Sequence, residues 1–175
     1  GKTYVTASAG NHGLSLAAGA KIFGANAVVF ISETVPETFS DRLREKGAVP
    51  VRKGSDYAAS MSAALEAAEE NNWILLSDSS WENYIEKPLK LMEGYLQMAD
   101  EAISQCKTKA TNVFLKAGVG GLSGAVASHI RKIWGDTPVI TVVEPSAAPA
   151  LQAIIELGKP VLTEGPDSVM GRLDC

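Results

Sequence analysis

The stretch 116–124, Lys-Ala-Gly-Val-Gly-Gly-Leu-Ser-Gly, decides how this sequence folds. It follows the apolar run 112–115, which is typical of a buried strand, and it precedes a helical pattern over residues 122–134. A glycine-rich turn between a strand and a helix brings backbone N–H groups to the positive end of the helix dipole. The stretch therefore predicts a binding site for an anion, and a phosphate group suits it best.

Strand-like runs and helical patterns alternate along the rest of the chain. The strand-like runs are 4–7, 27–31, 49–52, 73–76, 112–115 and 139–143. The helical patterns are 13–23, 38–46, 56–71 (with Ser55 as the expected N-cap), 88–105, 122–134 and 148–157. Such alternation predicts parallel strands joined by crossover helices.

We therefore predict an α/β fold, a three-layer αβα arrangement with parallel sheets in two lobes. The irregular stretch 77–87 marks the boundary between the lobes. The domains expected from this pattern are a small lobe, residues 1–85, and part of a large lobe, residues 86–175, which carries the glycine-rich loop.

Composition excludes several classes of function. The chain has 175 residues, of which 46% are hydrophobic and 21% charged, and its net charge of −4 disfavours nucleic-acid binding. No apolar run is long enough to span a membrane. The two cysteines, Cys106 and Cys175, lack metal-ligand spacing, so we expect no metal site and a reduced, cytoplasmic setting.

The glycine-rich stretch also fits a relaxed dinucleotide-binding pattern through Gly118, Gly120 and Gly124. Glu144 ends the following strand, where an acidic residue would bind the ribose hydroxyls of a nicotinamide cofactor. The alternative interpretation of Glu144 is an ordinary strand-end residue before Pro145. The spacing alone leaves a NAD-binding Rossmann domain open.

A second strand-to-helix turn occupies residues 8–13, Ser-Ala-Gly-Asn-His-Gly. Small residues here let a ligand approach the backbone, although Ser8 or Asn11 could simply cap the helix. In open α/β sheets ligands bind at the carboxyl ends of the strands. One anion loop together with a second loop that carries a planar amide suits a phosphorylated ring.

These residues resemble a known family. The turn 8–13 is similar to the S-x-G-N-H-[AG] motif of the fold type II, tryptophan-synthase-β-like, pyridoxal-phosphate enzymes, and 117–122 resembles their phosphate cup. Residues 77–84, Ser-Asp-Ser-Ser-Trp-Glu-Asn-Tyr, resemble the D-T-A-W-E-G-Y segment of the diaminopropionate ammonia-lyases. Met92-Glu93-Gly94-Tyr95 and Ala99-Asp100-Glu101-Ala102 resemble their M-x-G-Y…A-D-E-A helix.

The resemblance implies a cofactor, pyridoxal 5'-phosphate, and an α,β-elimination that releases ammonia and a 2-oxo acid from an amino acid. Asp78 is implied as the catalytic carboxylate that moves a proton on the substrate. The implied cofactor-binding residues are Asn11, on the 3′-hydroxyl of the ring, and Gly118, Val119, Gly120, Gly121 and Leu122, on the phosphate. The implied substrate-binding residues are Ser8, Ala9, Gly10 and His12.

Two departures from the family pattern affect these expectations. Ammonia-lyases of this type carry an Asp where this chain has Ala9, so a serine or threonine dehydratase is an alternative. The family's Schiff-base lysine lies well upstream of the Gly-Asn-His-Gly motif, and Lys2 is too close to replace it. We therefore expect this chain to be an internal fragment that is inactive alone. The resemblance implies that the parent protein is an enzyme and a homodimer. A non-catalytic binding module is the remaining alternative.

Overall fold

The computed structural model describes residues 1–159, 161, 165, 168–170 and 173 of the chain. The chain divides into two compact units, Gly1–Ser77 and Asp78–Cys175. The division falls at the start of the irregular stretch 77–87. The assignment of residues 1–85 and 86–175 to a small and a large lobe stays a prediction.

The first unit is built around a four-stranded sheet. Its elements are β1 (Thr3–Ala7), α1 (Asn11–Ile22), β2 (Asn26–Ile31), α2 (Glu37–Glu45), β3 (Val49–Arg52), α3 (Tyr57–Asn71) and β4 (Ile74–Leu75). The strands are all parallel and lie in the order β3-β2-β1-β4. β2 is buried from Ala27 to Ile31, as expected for a parallel strand covered on both faces. Its core joins residues of α1, β2 and α2 in one apolar cluster.

The second unit contains α4 (Glu86–Gln105), β5 (Asn112–Lys116), α5 (Gly121–Trp134), β6 (Val139–Val143) and α6 (Ala150–Leu157). β5 and β6 pair in parallel, with Lys116 opposite Val143 at their carboxyl ends. α4 packs on α5 through a small core of Ala99, Leu115, Val126 and Ile130. This arrangement holds the start of α5 beside the end of β5.

The predicted α/β fold with parallel sheets is confirmed, and the helices begin within one or two residues of their predicted starts. The N-cap of α3 is Asp56, whose carboxylate accepts the Ala59 N–H at 2.9 Å, while the Ser55 hydroxyl donates to Asp56. α4 begins at Glu86 and not at Pro88. A proline in the first helical turn costs no hydrogen bond, because the N–H it lacks has no partner there.

Candidate functional site

The glycine-rich loop lies between the carboxyl end of β5 and the start of α5. Ala117 N–H still belongs to the sheet, since it donates to Val143 O at 2.9 Å, and Gly124 N–H donates to Gly120 O at 2.8 Å. Between them, the backbone N–H groups of residues 118–123 have no acceptor in the part of the chain that the structure describes. They lie at the positive end of a 14-residue helix. This is the geometry of an anion site.

Gly120 gives the loop its shape. It is the N-cap of α5 with φ 89° and ψ −6°, a left-handed conformation that a residue with a Cβ adopts at a cost. A Cβ on Gly120 would also lie 2.6 Å from Leu151 Cδ1. The buried Ser123 hydroxyl donates back to Gly120 O at 3.0 Å, so it caps no N–H group of the helix. The absence of a side-chain cap leaves the N–H groups of the loop for a ligand.

Glu144 does not have the environment of a ribose-binding residue. Its two carboxylate oxygens accept the N–H groups of Leu151 and Gln152, each at 2.9 Å. These are the second and third N–H groups of α6, whose N-cap, Pro149, has no side-chain acceptor. The carboxylate is therefore engaged as the cap of a helix, which removes the support that the spacing gave to the dinucleotide interpretation.

The turn 8–13 has the opposite chemistry. The Ser8 hydroxyl accepts the N–H groups of Gly10 at 3.3 Å and of Gly13 at 3.1 Å, so the start of α1 is capped from within the chain. A Cβ on Gly13 would lie 2.9 Å from Ser8 O and 3.1 Å from Val29 Cγ1. The glycine at this position therefore permits close packing of α1 on the sheet. The capping role that we considered for Ser8 is confirmed.

Among the other predicted residues of this turn, the Asn11 side chain has no partner in the described part of the chain, whereas His12 and Ala9 contact other residues of the first unit. Asn11 is exposed in the first turn of α1, and its amide has no hydrogen-bond partner among the residues described. His12 Nε2 lies 2.8 Å from Leu76 O, and because a carbonyl only accepts, this nitrogen carries the proton. Ala9 packs against the apolar core of the first unit. Of these residues, Asn11 is the one whose side chain is exposed and has no partner among the residues described.

Asp78 belongs to the second unit, together with the glycine-rich loop. It is half-buried, and its negative charge acts on the hydroxyl of Tyr95 in α4. Burial, and then the Asp78 charge, raise the pKa of Tyr95 above its ordinary value of 10.0. One turn before Tyr95, the Met92 side chain lies beside Gly121 and Gly124 at the start of α5. α4 therefore contacts both the Asp78 segment and the glycine-rich loop.

The segment after Asp78 forms a tight, ordered turn. Trp81 and Tyr84 exchange backbone hydrogen bonds of 3.3 Å and 2.9 Å, and their rings stack at 4.1 Å. Asn83 takes the left-handed conformation that closes the turn, with φ 65°. Lys87 Nζ lies 5.2 Å from the centre of the Tyr84 ring. Asp78 is thus attached to a structured element.

Sequence reasoning missed three features of this region: the packing of Leu151 on Gly120, the role of Glu144 as a helix cap, and the effect of the Asp78 charge on Tyr95. A signal existed for Glu144, because the Pro149 N-cap of α6 has no side-chain acceptor. Leu151 and Tyr95 reach their partners through tertiary packing, which no local pattern records. The predicted site residues fall in both units: 8–12 in the first, Asp78 and 118–122 in the second.

The loop suits a phosphate ester. A phosphate presents several acceptor oxygens and no obligatory donor, and the N–H groups of residues 118–123 are donors that α5 leaves unpaired among the described residues. The family described as "Pyridoxal-phosphate dependent enzyme" matches residues 1–175. The chain belongs to this family.

Individual members of this family are similar to the chain in sequence and in structure. Diaminopropionate ammonia-lyase of Salmonella typhimurium is 33% identical over 180 residues, which cover 98% of this chain and 45% of that protein. L-serine dehydratase/L-threonine deaminase of Mus musculus is 30% identical over 159 residues, which cover 89% of this chain and 46% of that protein. The chain thus spans less than half the length of these relatives.

A solved structure shows the same fold. The crystal structure of diaminopropionate ammonia lyase from Escherichia coli, in complex with an aminoacrylate-PLP azomethine reaction intermediate, superposes with a TM-score of 0.87 at 28% identity. The match covers 99% of this chain and 45% of that one. The resemblance to fold type II pyridoxal-phosphate enzymes is confirmed, and pyridoxal phosphate is the cofactor of the family. The family match replaces the dinucleotide interpretation.

The described residues also limit other kinds of site. None of their helices is long and apolar enough to cross a membrane. In the same part of the chain, no group of three or more His, Cys, Asp or Glu side chains is placed to hold a metal ion. Cys106 is exposed and forms no disulfide, whereas Cys175 lies outside the described residues.

Proposed function

We propose that the native protein containing this chain is a pyridoxal-phosphate-dependent lyase, which eliminates the β-substituent of an amino acid to give ammonia and a 2-oxo acid. The observation that carries the proposal is the row of backbone N–H groups, residues 118–123, that lack an acceptor in the described structure. The similarity to diaminopropionate ammonia-lyases supports the reaction class.

The residues of this chain have distinct parts in that reaction. Gly118, Val119, Gly120, Gly121 and Leu122 hold the phosphate through their N–H groups. The Asn11 amide, free among the described residues, binds the 3′-hydroxyl of the ring. When bound, pyridoxal phosphate supplies the electron sink for bond breaking at the Cα atom of the substrate.

Asp78 is the proton carrier in this proposal. Its side chain is half-buried, and its charge contributes, after burial, to raising the pKa of Tyr95. A positioned carboxylate contributes about 10²–10⁴ to a rate through general acid–base catalysis. The ordered turn of Trp81 and Tyr84 fixes the chain directly after it.

The second candidate substrate is a hydroxy amino acid such as serine or threonine. The observation that favours it is Ala9, which packs against an apolar core where ammonia-lyases of this type carry a second acid or base. At positions 9 and 78 this chain therefore has one carboxylate, that of Asp78, where those ammonia-lyases have two. A substrate whose leaving group is a hydroxyl is then the simpler choice. Relatives that match over most of this chain include serine dehydratases.

The test is steady-state kinetics of the native protein with 2,3-diaminopropionate, serine and threonine, in which 2-oxo acid and ammonia are both measured. We expect turnover of one of them, and Asp78→Asn should lower kcat by about 10²-fold or more. Glu82→Gln, an exposed carboxylate four positions further along, is the matched control and should retain activity. Cofactor binding without turnover of any amino acid would instead favour a binding module.

We also propose that the native protein is a cytoplasmic homodimer. The free Cys106 thiol supports a reducing compartment, and the resemblance to fold type II enzymes supports the dimer. Sedimentation analysis of the native protein measures its mass directly. A monomer at micromolar concentration would overturn the second part of this proposal.

A further inference from the structure

The carboxyl ends of β5 and β6 lie side by side. The segments that follow these two strands lie in the same part of the second unit. Lys116 and Val143 are opposite each other in the sheet, and the glycine-rich loop follows the first while Glu144 follows the second. Glu144 is half-buried. Its hydrogen bonds are directed along its own segment, toward α6.

Glu144 fixes the start of α6 with both of its oxygens. The Leu151 N–H donates to Oε1 and the Gln152 N–H donates to Oε2, each at 2.9 Å. Hydrogen bonds from N–H groups to an ionised carboxylate are stronger than those between neutral groups, and two of them restrict the helix in direction as well as in position. Pro149, the N-cap residue, cannot supply this contact.

The first turn of α6 is in turn packed against the glycine-rich loop. Leu151, whose N–H is held by Glu144, places its Cδ1 atom 2.6 Å from the position that a Cβ on Gly120 would occupy. The side chain therefore lies directly against the bare Cα of Gly120. Gly120 is the N-cap of α5 and the residue of the loop that takes a left-handed conformation.

We propose that Glu144 is a positioning residue of the phosphate loop, and that it acts through Leu151 on Gly120 without contacting the ligand. The proposal rests on the proposed binding of a phosphate by residues 118–122. In this role Glu144 strengthens binding of the phosphate, whereas its negative charge alone would weaken that binding. Removing a negative charge near an anion site should strengthen binding of the anion, whereas loss of a positioning contact should weaken it.

The experiment compares pyridoxal phosphate with pyridoxal, which has the same ring and aldehyde but no phosphate. Affinities of both are measured for the apo form of the native protein, together with the phosphorus-31 chemical shift of bound pyridoxal phosphate. In Glu144→Gln we expect the affinity for pyridoxal phosphate to fall about tenfold, while that for pyridoxal changes less than about twofold. The phosphorus resonance should move.

Leu151→Ala removes the contact between Leu151 and Gly120. Like Glu144→Gln, it should lower the affinity for pyridoxal phosphate and move the phosphorus resonance in the same direction. Two exposed residues of α6 provide matched controls, since Glu156→Gln removes a carboxylate and Ile155→Ala removes an apolar side chain of similar size. Neither control should alter the phosphate-specific affinity. Unfolding curves of all four variants show whether each is folded.

The outcomes separate this proposal from the proposed function. If wild-type protein prefers pyridoxal phosphate to pyridoxal and Glu144→Gln binds both as tightly as wild type does, the positioning role is wrong and the phosphate site stands. If Glu144→Gln binds pyridoxal phosphate more tightly, charge dominates and the proposal is also overturned. If the wild type shows no preference for the phosphorylated ligand, the phosphate site itself is wrong.

Discussion

Two strand-to-helix turns in this chain, residues 8–13 and 118–123, have similar sequences and different chemistry. In the first, Gly10 is the N-cap and the Ser8 hydroxyl, two residues earlier, accepts the N–H groups of Gly10 and Gly13. In the second, Gly120 is the N-cap, and the residue two positions earlier is Gly118, which has no side chain. The start of α1 is capped by its own chain, whereas the start of α5 has no side-chain cap.

The difference shows why a glycine-rich turn is a weak signal by itself. Both turns follow a parallel strand and open a helix, so both have the dipole and the N–H groups that attract an anion. What distinguishes them is the position of a single serine. Ser8 precedes its helix and caps it, whereas Ser123 lies within α5 and donates to Gly120 O.

The largest effect is expected from Gly120→Ala. A Cβ at φ 89° costs roughly 1–2 kcal/mol, and its approach to Leu151 Cδ1 forces a further shift of the loop. The phosphate-specific affinity for pyridoxal phosphate should fall by roughly 100-fold, about 2.7 kcal/mol. Isothermal titration of the apo protein with pyridoxal phosphate and with pyridoxal measures it.

Gly124→Ala is the matched control for that variant. Gly124 is exposed on the same helix, and the atom nearest to an added Cβ is Met92 Cε at 3.5 Å, an ordinary contact. Alanine also favours a helix over glycine by about 1 kcal/mol, so this variant should be at least as stable as the wild type. Equal losses of affinity in the two variants would contradict the importance of the Gly120 conformation.

An intermediate effect is expected from Gly118→Ser, which gives the second turn the serine of the first. The new hydroxyl lies two positions before the N-cap, as Ser8 does, and it should compete with phosphate for the N–H groups of Gly120 and Ser123. We expect the affinity for pyridoxal phosphate to fall by about tenfold. Gly118→Ala, which adds a Cβ without a hydroxyl, is the control, and equal affinities of the two would show that the hydroxyl does not cap α5.

A smaller effect is expected from Ser8→Ala, which removes the cap of the first turn. Loss of a serine cap costs about 1 kcal/mol, so urea unfolding should show a lower free energy of unfolding by that amount. Ser15→Ala, at an exposed position of α1, is the control and should be neutral or slightly stabilising. No loss in Ser8→Ala would mean that water replaces the hydroxyl at no cost.

The smallest effect concerns Asp56, an ionisable cap on α3. Its pKa is lowered from 3.8, first by the hydrogen bond from the Ala59 N–H and then by the Ser55 hydroxyl. A carboxyl whose pKa is lowered by folding stabilises the protein above its unfolded pKa, and the stabilisation is lost as the pH falls through the folded pKa. Asp56→Ala should therefore lower the thermal midpoint at pH 7 by roughly a few degrees, and the difference from wild type should shrink as the pH falls from 3.8 through the lower pKa of the folded state.

Ser55→Ala is the control that distinguishes Asp56, the observed N-cap, from Ser55, the predicted one. It should lower the midpoint less than Asp56→Ala does, because Ser55 only donates to the Asp56 carboxylate. A larger loss in Ser55→Ala would restore the prediction that Ser55 caps the helix.

Much of the fold could be predicted because its signals are local. Apolar runs such as 27–31 and 139–143 predicted strands, and the alternation with helices predicted parallel pairing, which the registers of both sheets confirm. Helix starts were harder, since Ser55 and Asp56 are both good caps and only the backbone geometry selects one. Pro88 does not mark the start of α4, because proline is tolerated throughout the first turn of a helix.

The clearest sequence signal for the candidate site comes from residues that act through their own backbone. The glycines of 118–121 carry their signal in the sequence, because the chemistry of the loop needs N–H groups and no side chains. Glu144 illustrates the opposite case, since spacing predicted a ribose contact and tertiary packing made it a helix cap. The charge of Asp78 acts on Tyr95, 17 positions later in the chain, and no periodicity records such an interaction.

The most direct test of this account is an NMR titration of the native apo protein, labelled with nitrogen-15 glycine, with pyridoxal phosphate and with pyridoxal. The account predicts that the amide resonances of Gly118, Gly120 and Gly121 shift with the phosphorylated ligand and much less with pyridoxal. The amides of Gly10 and Gly13, already bonded to Ser8, should show no such phosphate-dependent shift. Phosphate-dependent shifts at Gly10 and Gly13, with none at the other three, would contradict it.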